Sequence, residues 1–247
     1  MATHRPLTLV VIPARYGSTR LHAKALALIG GIPMVVRVLQ QARRMKTATR
    51  VIVATDDQRI AAAVQAAGGE AMMTSPDHPS GTDRVAEVAR NIPCDFVVNV
   101  QGDEPFIDPA AVDAAVTALI ADPSCNMSTI CVEAGIEAAR DPAVTKVVRD
   151  RKGYALYFSK AMIPHDRDGA PPGARIEKHL GVYVFRRDFL LQYAAWEPTP
   201  LERREKLEQL RALERGERIL VVRSASDSLG IDTQHDLDRA NAMAVKD

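Results

Sequence analysis

A loop with three cations lies between an apolar run and a helix-forming segment near the start of the chain. It covers residues 12–24 and carries Arg15, Arg20 and Lys24, together with a glycine, a serine and a threonine. In open parallel sheets, ligands bind beyond the carboxyl ends of the strands, where amides and cations can neutralise an anion. The loop therefore suits a polyphosphate, although it has neither the GxGxxG nor the GxxxxGK[ST] pattern. An exposed basic loop is the alternative.

Carboxylates follow two other segments and could hold a hard cation. The adjacent pair Asp103 and Glu104 comes just after the apolar run 96–100, and the carboxyl end of a strand is a good place for a Mg²⁺ ligand. Because the two are neighbours, we do not expect both to face one ion. Asp232 stands separately, before the last predicted helix. A plain turn at 101–105 and a contact of Asp232 with a helix N-terminus are the alternatives.

A third polar loop, residues 80–84 (Ser-Gly-Thr-Asp-Arg), follows the third predicted strand. On its own it is typical of a helix start, with either Ser80 or Thr82 as the N-cap. The six histidines show no HxxxH spacing and no GxSxG elbow occurs, so the pattern favours neither a histidine metal site nor a serine nucleophile.

Strand and helix patterns alternate regularly in the first half of the chain. Short apolar runs, typical of buried parallel strands, occur at 7–12, 51–54, 70–73 and 96–100. Helical patterns occur at 34–44, 60–67, 82–91 and 109–121. Repeated units of this length predict an α/β fold with a mostly parallel central sheet and helices on both faces.

The second half is less regular. Strands are predicted at 127–132, 144–149, 155–158, 182–185 and 219–222, and helices at 187–196 and 201–215. A last helix begins at Thr233, with Asp236 as its capping-box partner. Residues 164–173, with Pro171-Pro172-Gly173, are predicted to form a loop. The charges of the helix 201–215 are typical of a solvated face.

Composition limits the possible classes. The chain has 247 residues, 47% of them hydrophobic and 26% charged, with a net charge of +1, which is typical of one globular domain. A net charge this small does not favour binding to nucleic acid or to an anionic membrane. Three cysteines without a CxxC pair disfavour a disulfide framework and a thiolate zinc site. With no signal-like or membrane-length apolar run, we expect a cytoplasmic protein without stable membrane association.

In their order and spacing, these loops resemble those of the sugar-acid cytidylyltransferases, and the match is closest to members that activate 3-deoxy-manno-octulosonate (Kdo). The motifs that carry the resemblance are IPARYGSTRL at 12–21, ATDD at 54–57, HPSGTDR at 78–84, NVQGDEP at 99–105, YALYFS at 154–159, HLGVY at 179–183, LEQLR at 207–211 and GIDT at 230–233. The resemblance implies a single Rossmann-like nucleotidyltransferase domain over 1–247, with a smaller sugar-pocket and dimerisation subregion at about 150–215, and a homodimer. It also implies that CTP and Kdo give CMP-Kdo and pyrophosphate, for bacterial lipopolysaccharide biosynthesis.

The resemblance assigns residues to three roles. The implied catalytic residues are Lys24, Asp103 and Asp232, of which the two acids would bind Mg²⁺. The implied nucleotide-binding residues are Arg15, Ser18, Arg20, Lys24, Ser80 (near cytosine) and Gln101. The implied residues of the sugar-acid pocket are Gln101, His179, Tyr183, Glu208 and Gln209. In the predicted helix 201–215, Glu208 and Gln209 lie off the apolar stripe, so they are free to face a ligand. No side chain is an evident general base, so the metal would acidify the sugar's attacking hydroxyl.

The chain departs from the family pattern in three places. Members usually have Leu-Pro-Gly-Lys-Pro-Leu after the loop's last arginine, whereas residues 21–26 read Leu-His-Ala-Lys-Ala-Leu. The lysine is kept, but the lost prolines and glycine bear on the geometry of the loop and on CTP affinity. His165 stands where an aromatic is usual and Lys160 where arginine is common, which bears on sugar specificity.

Three other functions remain open from the sequence. A relative could activate another acidic sugar, such as an 8-amino Kdo or a sialic acid. A nucleotide-binding regulator would bind without turnover, although the retained Lys24, Asp103 and Asp232 disfavour it. A glycosyltransferase also uses an α/β fold with acidic metal ligands, but it would consume a nucleotide sugar.

Overall fold

Runs of valine, isoleucine and leucine form the centre of the molecule. In the computed structural model, which describes residues 5–17 and 21–244, the first strand is buried along its whole length. Burying one such side chain contributes roughly 1.5–3 kcal/mol. The strands are β1 (Thr8–Ala14), β2 (Leu28–Ile29), β3 (Ile32–Pro33), β4 (Arg50–Thr55), β5 (Glu70–Met73), β6 (Phe96–Val100), β7 (Met127–Gly135), β8 (Lys146–Arg149), β9 (Ala155–Ser159), β10 (Arg175–Arg186) and β11 (Ile219–Ser224).

The main sheet has the order β11-β7-β10-β6-β1-β4-β5, with β8 paired to β10 and β9 paired to β8. Strand β1 is parallel to β4 and β6, β4 to β5, and β11 to β7. Strand β10 runs antiparallel to β6 and β7. The predicted mostly parallel sheet is thus confirmed, with β10 and the β8–β9 pair as antiparallel additions. The carboxyl ends of β1, β4, β6 and β11 point to the same edge.

Helices cover both faces of this sheet. They are α1 (Met34–Ala42), α2 (Gln58–Ala66), α3 (Gly81–Asn91), α4 (Pro109–Ala121), α5 (Ile136–Arg140), α6 (Arg187–Ala194), α7 (Pro200–Glu205), α8 (Leu210–Glu214) and α9 (Gln234–Ala244). Val10 and Ile12 of β1 pack with α1, α2 and α4 in one core, and Leu9 and Val11 pack with α3, α6 and α8 in the other. This alternation follows from the two-residue period of a strand.

The single helix predicted over 201–215 is wrong. The chain forms α7 and α8 instead, separated at Lys206, whose backbone is left-handed with φ 56°. At the start of α7 the Thr199 amide donates to Glu202 Oε2 at 3.2 Å, and at its end the Lys206 amide donates to the Glu202 carbonyl at 2.8 Å. The left-handed residue redirects the chain, so that Leu207 and Gln209 are buried.

Strand β10 is much longer than the predicted 182–185. Its first half is polar in sequence, and the pattern gave no sign of a strand there. In the fold, Glu177 of this half pairs with Arg149 of β8 and Arg223 of β11, so neighbouring strands supply the missing partners. The final helix is confirmed, since Thr233 and Asp236 cap each other reciprocally. Within the described ranges 5–17 and 21–244, no helix is both long and apolar enough to cross a bilayer.

Candidate active site

Lys24 joins the loop after β1 to two carboxylates that are far apart in the sequence. Its ammonium donates to Asp103 Oδ2 at 2.6 Å and to Asp232 Oδ1 at 2.9 Å. The Lys24 side chain is only 19% exposed. Burial acts to lower the pKa of Lys24, but the two carboxylates outweigh it and hold this pKa above its usual value. The three implied catalytic residues are therefore in direct contact.

The backbone before Lys24 has an unusual conformation. Ala23 is left-handed with φ 50°, and a short 3-10 turn follows over Lys24–Leu26. A left-handed conformation costs an alanine about 1–2 kcal/mol because of its Cβ. Ala23 is the position at which the resembling family usually has glycine, so this departure puts strain into the loop that carries Lys24.

Two turns bring the carboxylates to Lys24. Asp103 follows β6 in a turn closed by the Glu104 amide, which donates to the Gln101 carbonyl at 3.1 Å. Gly102 is required there, since a Cβ would lie 2.7 Å from the Pro13 carbonyl oxygen. Asp232 follows the loop after β11, where its amide donates to Asp236 at 3.2 Å. The ends of β1, β6 and β11 thus meet at one point.

A cleft of about 310 Å³ opens on one side of this point, and we call it the Ser80 cleft. The predicted residues in its wall are Arg15, Lys24, Ser80, Gln101, Asp103 and Asp232. Ser80 is the N-cap of α3, as its Oγ accepts from the Asp83 amide at 3.2 Å, which decides between Ser80 and Thr82. The predicted Ser18 and Arg20 lie outside the described residues.

Arg84 also lines the Ser80 cleft, a position that the sequence analysis did not single out. It is buried and pairs with Asp56 at 2.9 Å, while donating to Thr74 Oγ1 at 2.5 Å. One sequence signal could have found it. Arg84 stands four residues before Val88, on the buried face of α3, and residues with that spacing share a helix face.

A second cleft, of about 730 Å³, opens on the other side, and we call it the His179 cleft. It shares three residues with the Ser80 cleft, namely Gln101, Asp103 and Asp232. The remaining predicted residues in its wall are His179, Tyr183, Glu208 and Gln209. The two acids therefore lie where the two clefts meet.

Three of the predicted residues in the His179 cleft, His179, Tyr183 and Gln209, are buried and neutral. His179 Nε2 is 2.8 Å from Thr129 Oγ1, and burial, with a smaller contribution from Lys160, lowers the pKa of His179 to about 3. Tyr183 donates its hydroxyl to Gln209 Oε1 at 2.9 Å, and burial raises the pKa of Tyr183. Gln209 is 2% exposed, and among the described residues its amide nitrogen has no hydrogen-bond partner. Buried polar atoms are usually satisfied, so this donor suits a ligand.

Glu208 contacts residues of both clefts. Its carboxylate accepts from Thr82 Oγ1 at 3.0 Å and lies 3.5 Å from Ser80 Oγ. Burial raises the pKa of Glu208 to about 7, against the opposing effect of Arg211, which lies 4.0 Å away. The Tyr193 hydroxyl fixes this segment by donating to the Glu208 carbonyl at 2.6 Å.

The donor set at the junction fits a hard divalent cation. Within residues 5–17 and 21–244, no group of three or more His, Cys, Asp or Glu could hold a metal by itself. Asp103 and Asp232 nevertheless bring two carboxylates to one cation, the Lys24 ammonium. Mg²⁺ sites commonly use one or two carboxylates and take their other ligands from phosphates and water.

Comparisons with known proteins identify the family. Residues 9–219 match the model of a family described as cytidylyltransferase. The chain belongs to the cytidylyltransferase family. It is therefore a nucleotidyltransferase, and the resemblance drawn from its loops is confirmed.

Individual members of the cytidylyltransferase family are similar over nearly the whole chain. The 3-deoxy-manno-octulosonate cytidylyltransferase of Trichlorobacter lovleyi is 50% identical, over 93% of this chain and 95% of its own. That of Geobacter metallireducens is 51% identical, over 93% and 94%. A solved CMP:2-keto-3-deoxy-manno-octonic acid synthetase complexed with CTP is 40% identical, with a TM-score of 0.92 over 97% of this chain and 99% of the other. The Rossmann-like nucleotidyltransferase fold is confirmed.

Proposed function

We propose that this chain transfers the cytidylyl group of CTP to 3-deoxy-manno-octulosonate, giving CMP-Kdo and pyrophosphate. Relatives named for this activity share about half of their residues with it. The observation that carries the proposal is the junction of the two clefts at Asp103 and Asp232, in contact with Lys24. Such a junction suits a reaction that joins a nucleotide to a second substrate.

In this proposal the Ser80 cleft binds CTP. Arg15 and Lys24 contact the triphosphate, with Ser18 and Arg20 nearby, and Ser80 and Gln101 lie along the cytidine. Phosphoryl transfer requires alignment and charge neutralisation more than covalent help from the protein. Lys24 exchanges its two carboxylate partners for phosphate oxygens when the substrates bind, and so stabilises the departing pyrophosphate.

Asp103 and Asp232 are the residues that would hold Mg²⁺. When bound, this ion neutralises phosphate charge and lowers the pKa of a hydroxyl that coordinates it. This role suits two acids that a cationic side chain already bridges. The bound ion would therefore take the place of a histidine base for the attacking sugar hydroxyl. His179 does not suit that role, because its low pKa makes it a weak base.

The His179 cleft binds the sugar acid. The unpartnered amide nitrogen of Gln209 is a donor for a sugar oxygen, and Tyr183 holds that amide in place. Gln101, His179 and Glu208 complete the pocket, where the sugar's anomeric hydroxyl faces the α-phosphorus of CTP. A homodimer, a cytoplasmic location and a place in lipopolysaccharide biosynthesis belong to the proposal through the family resemblance.

A panel of sugar acids tests the function. The purified protein is incubated with CTP and with Kdo, 8-amino Kdo or a sialic acid, with and without Mg²⁺, and pyrophosphate release is measured. We expect Mg²⁺-dependent release with Kdo. Release with another sugar alone would reassign the substrate. No release with any sugar would favour a nucleotide-binding regulator, and consumption of a nucleotide sugar would favour a glycosyltransferase.

A further inference from the structure

Glu104 is an acid next to a proposed metal ligand, and its carboxylate contacts the loop after β11. Its carboxylate accepts a hydrogen bond from Ser228 Oγ at 2.5 Å, on the loop after β11. Asp103, the preceding residue, points instead at Lys24. The two neighbouring acids therefore have different tasks.

The loop after β11 contacts the Asp103–Glu104 turn at three successive points. Ser228 donates to Glu104, as above. Gly230 packs against the same carboxyl group, because a Cβ there would lie 3.2 Å from Glu104 Oε1. The Ile231 amide donates to the Asp103 carbonyl at 2.9 Å. Asp232 is the next residue, so these contacts determine where its carboxylate lies.

Lys178 of β10 fixes the beginning of the same loop. Its ammonium donates to Asp227 Oδ1 at 2.8 Å and to the Ser228 carbonyl at 3.3 Å. Ile231 is fully buried and packs with Leu237 of α9. The loop is thus anchored at its start and at its end, and Glu104 supplies the side-chain contact between those anchors.

We propose that Glu104 is a positioning residue that sets the distance between Asp103 and Asp232. It does so by accepting a hydrogen bond from Ser228 and by packing against Gly230. The proposal rests on the metal role of the two aspartates in the proposed function. Residues that orient metal ligands typically change metal affinity by 10–100-fold when they are replaced. Glu104 acts through Asp232, since its carboxylate contacts Ser228 and Gly230 of the loop that carries Asp232.

Metal binding tests this role without the sugar reaction. Mn²⁺ is titrated into the full protein with CTP kept below the protein concentration, and free Mn²⁺ is followed by EPR. Glu104→Ala and Ser228→Ala are each expected to weaken Mn²⁺ binding about tenfold or more. Glu104→Gln keeps an oxygen that accepts from Ser228, and a loss below about threefold is expected. CTP affinity in EDTA should change less than about threefold in all three.

Ser226→Ala is the matched control, because within the described residues the Ser226 side chain makes no hydrogen bond, although it lies in the same loop. It should bind Mn²⁺ like the wild type. Asp232→Asn, which removes a proposed ligand, should lose Mn²⁺ binding. If Glu104→Ala does not fold, Ser228→Ala carries the test alone.

Three results would overturn the proposal in different ways. Wild-type Mn²⁺ affinity in Ser228→Ala, with loss in Asp232→Asn, would reject Glu104 as the positioning residue and leave the metal site in place. Equal losses of Mn²⁺ and metal-free CTP affinity would likewise indicate general damage and reject it. Wild-type affinity in Asp232→Asn would remove the metal assignment and the positioning role together.

Discussion

The two clefts that meet at Asp103 and Asp232 are built by different means. The Ser80 cleft lies at the carboxyl ends of parallel strands, and charged groups such as Arg15 and Lys24 line it. The His179 cleft is built from the antiparallel strand β10 and the break between α7 and α8, and its wall includes the buried neutral side chains of His179, Tyr183 and Gln209. The strand ends thus bring charged side chains together, whereas strand β10 and the break between α7 and α8 bring buried hydrogen-bonding groups into a cleft wall.

The largest effect should come from the junction that both clefts share. Asp232→Asn should lower kcat at least about a hundredfold, because a metal's stabilisation of developing charge is worth several kcal/mol. CTP affinity in EDTA and the midpoint of thermal unfolding should stay near the wild-type values. Steady-state kinetics at saturating Mg²⁺ measure this, and an unchanged kcat would remove Asp232 from the metal site.

Loss of the Lys24 ammonium tests the Ser80 cleft. Lys24→Ala should lower kcat/KM by about ten- to a hundredfold, since a charge-assisted hydrogen bond to phosphate contributes about 1.5–3 kcal/mol. Lys46→Ala is a suitable control, because Lys46 is an exposed lysine that lines neither cleft. A loss below about twofold in Lys24→Ala would mean that this lysine does not reach the phosphates.

The acid between the two clefts should make stability depend on pH. Burial raises the pKa of Glu208 from its usual 4.5 to about 7 in the folded protein, so between these pH values the folded protein holds one proton more than the unfolded chain. The wild type should therefore lose stability relative to Glu208→Gln as the pH rises from about 4.5 to 7, by at most about 3 kcal/mol. Urea unfolding of both proteins at pH 5 and pH 8 measures the difference. A difference in unfolding free energy between the two proteins that does not depend on pH would contradict the raised pKa of Glu208.

The His179 cleft should respond to the loss of a single hydrogen-bond donor. Gln209→Leu removes the unpartnered amide nitrogen, together with the oxygen that accepts from Tyr183, and should raise the KM for Kdo about two- to tenfold, since a hydrogen bond contributes about 0.5–1.5 kcal/mol. The KM for CTP should hardly change, in contrast to Lys24→Ala. Equal increases in both KM values would show that the two clefts do not separate their substrates.

The smallest effect concerns backbone strain beside Lys24. Ala23→Gly should stabilise the protein by about 1 kcal/mol, because glycine adopts a φ of 50° without a Cβ clash. Ala25→Gly, two residues later and without a positive φ, should destabilise it instead. Thermal unfolding of the two variants measures these stability changes. A destabilised Ala23→Gly would mean that the loop tolerates the alanine without strain.

Much of this architecture could be predicted from local patterns. The strand β6 and the helix α4 have the predicted ends, and the loops that follow β1 and β6 carry the residues expected to act. Parallel strands are apolar runs whose burial depends little on which neighbour covers them. The wall of the His179 cleft was harder to predict from the sequence, because Lys206 interrupts a helical pattern and the first half of β10 is polar.

The order of residue types along the chain was enough to determine the α/β class and the family, since these depend on patterns of residues close together in sequence. Only the tertiary structure decided which polar groups are buried and what they touch. Glu104 could be recognised as a loop anchor only once Ser228 and Gly230 lay against it. Glu208 joins the two clefts only because the chain turns at Lys206 and meets Thr82. The physical reason is that hydrophobic periodicity is a local property, whereas a buried polar group is defined by distant partners.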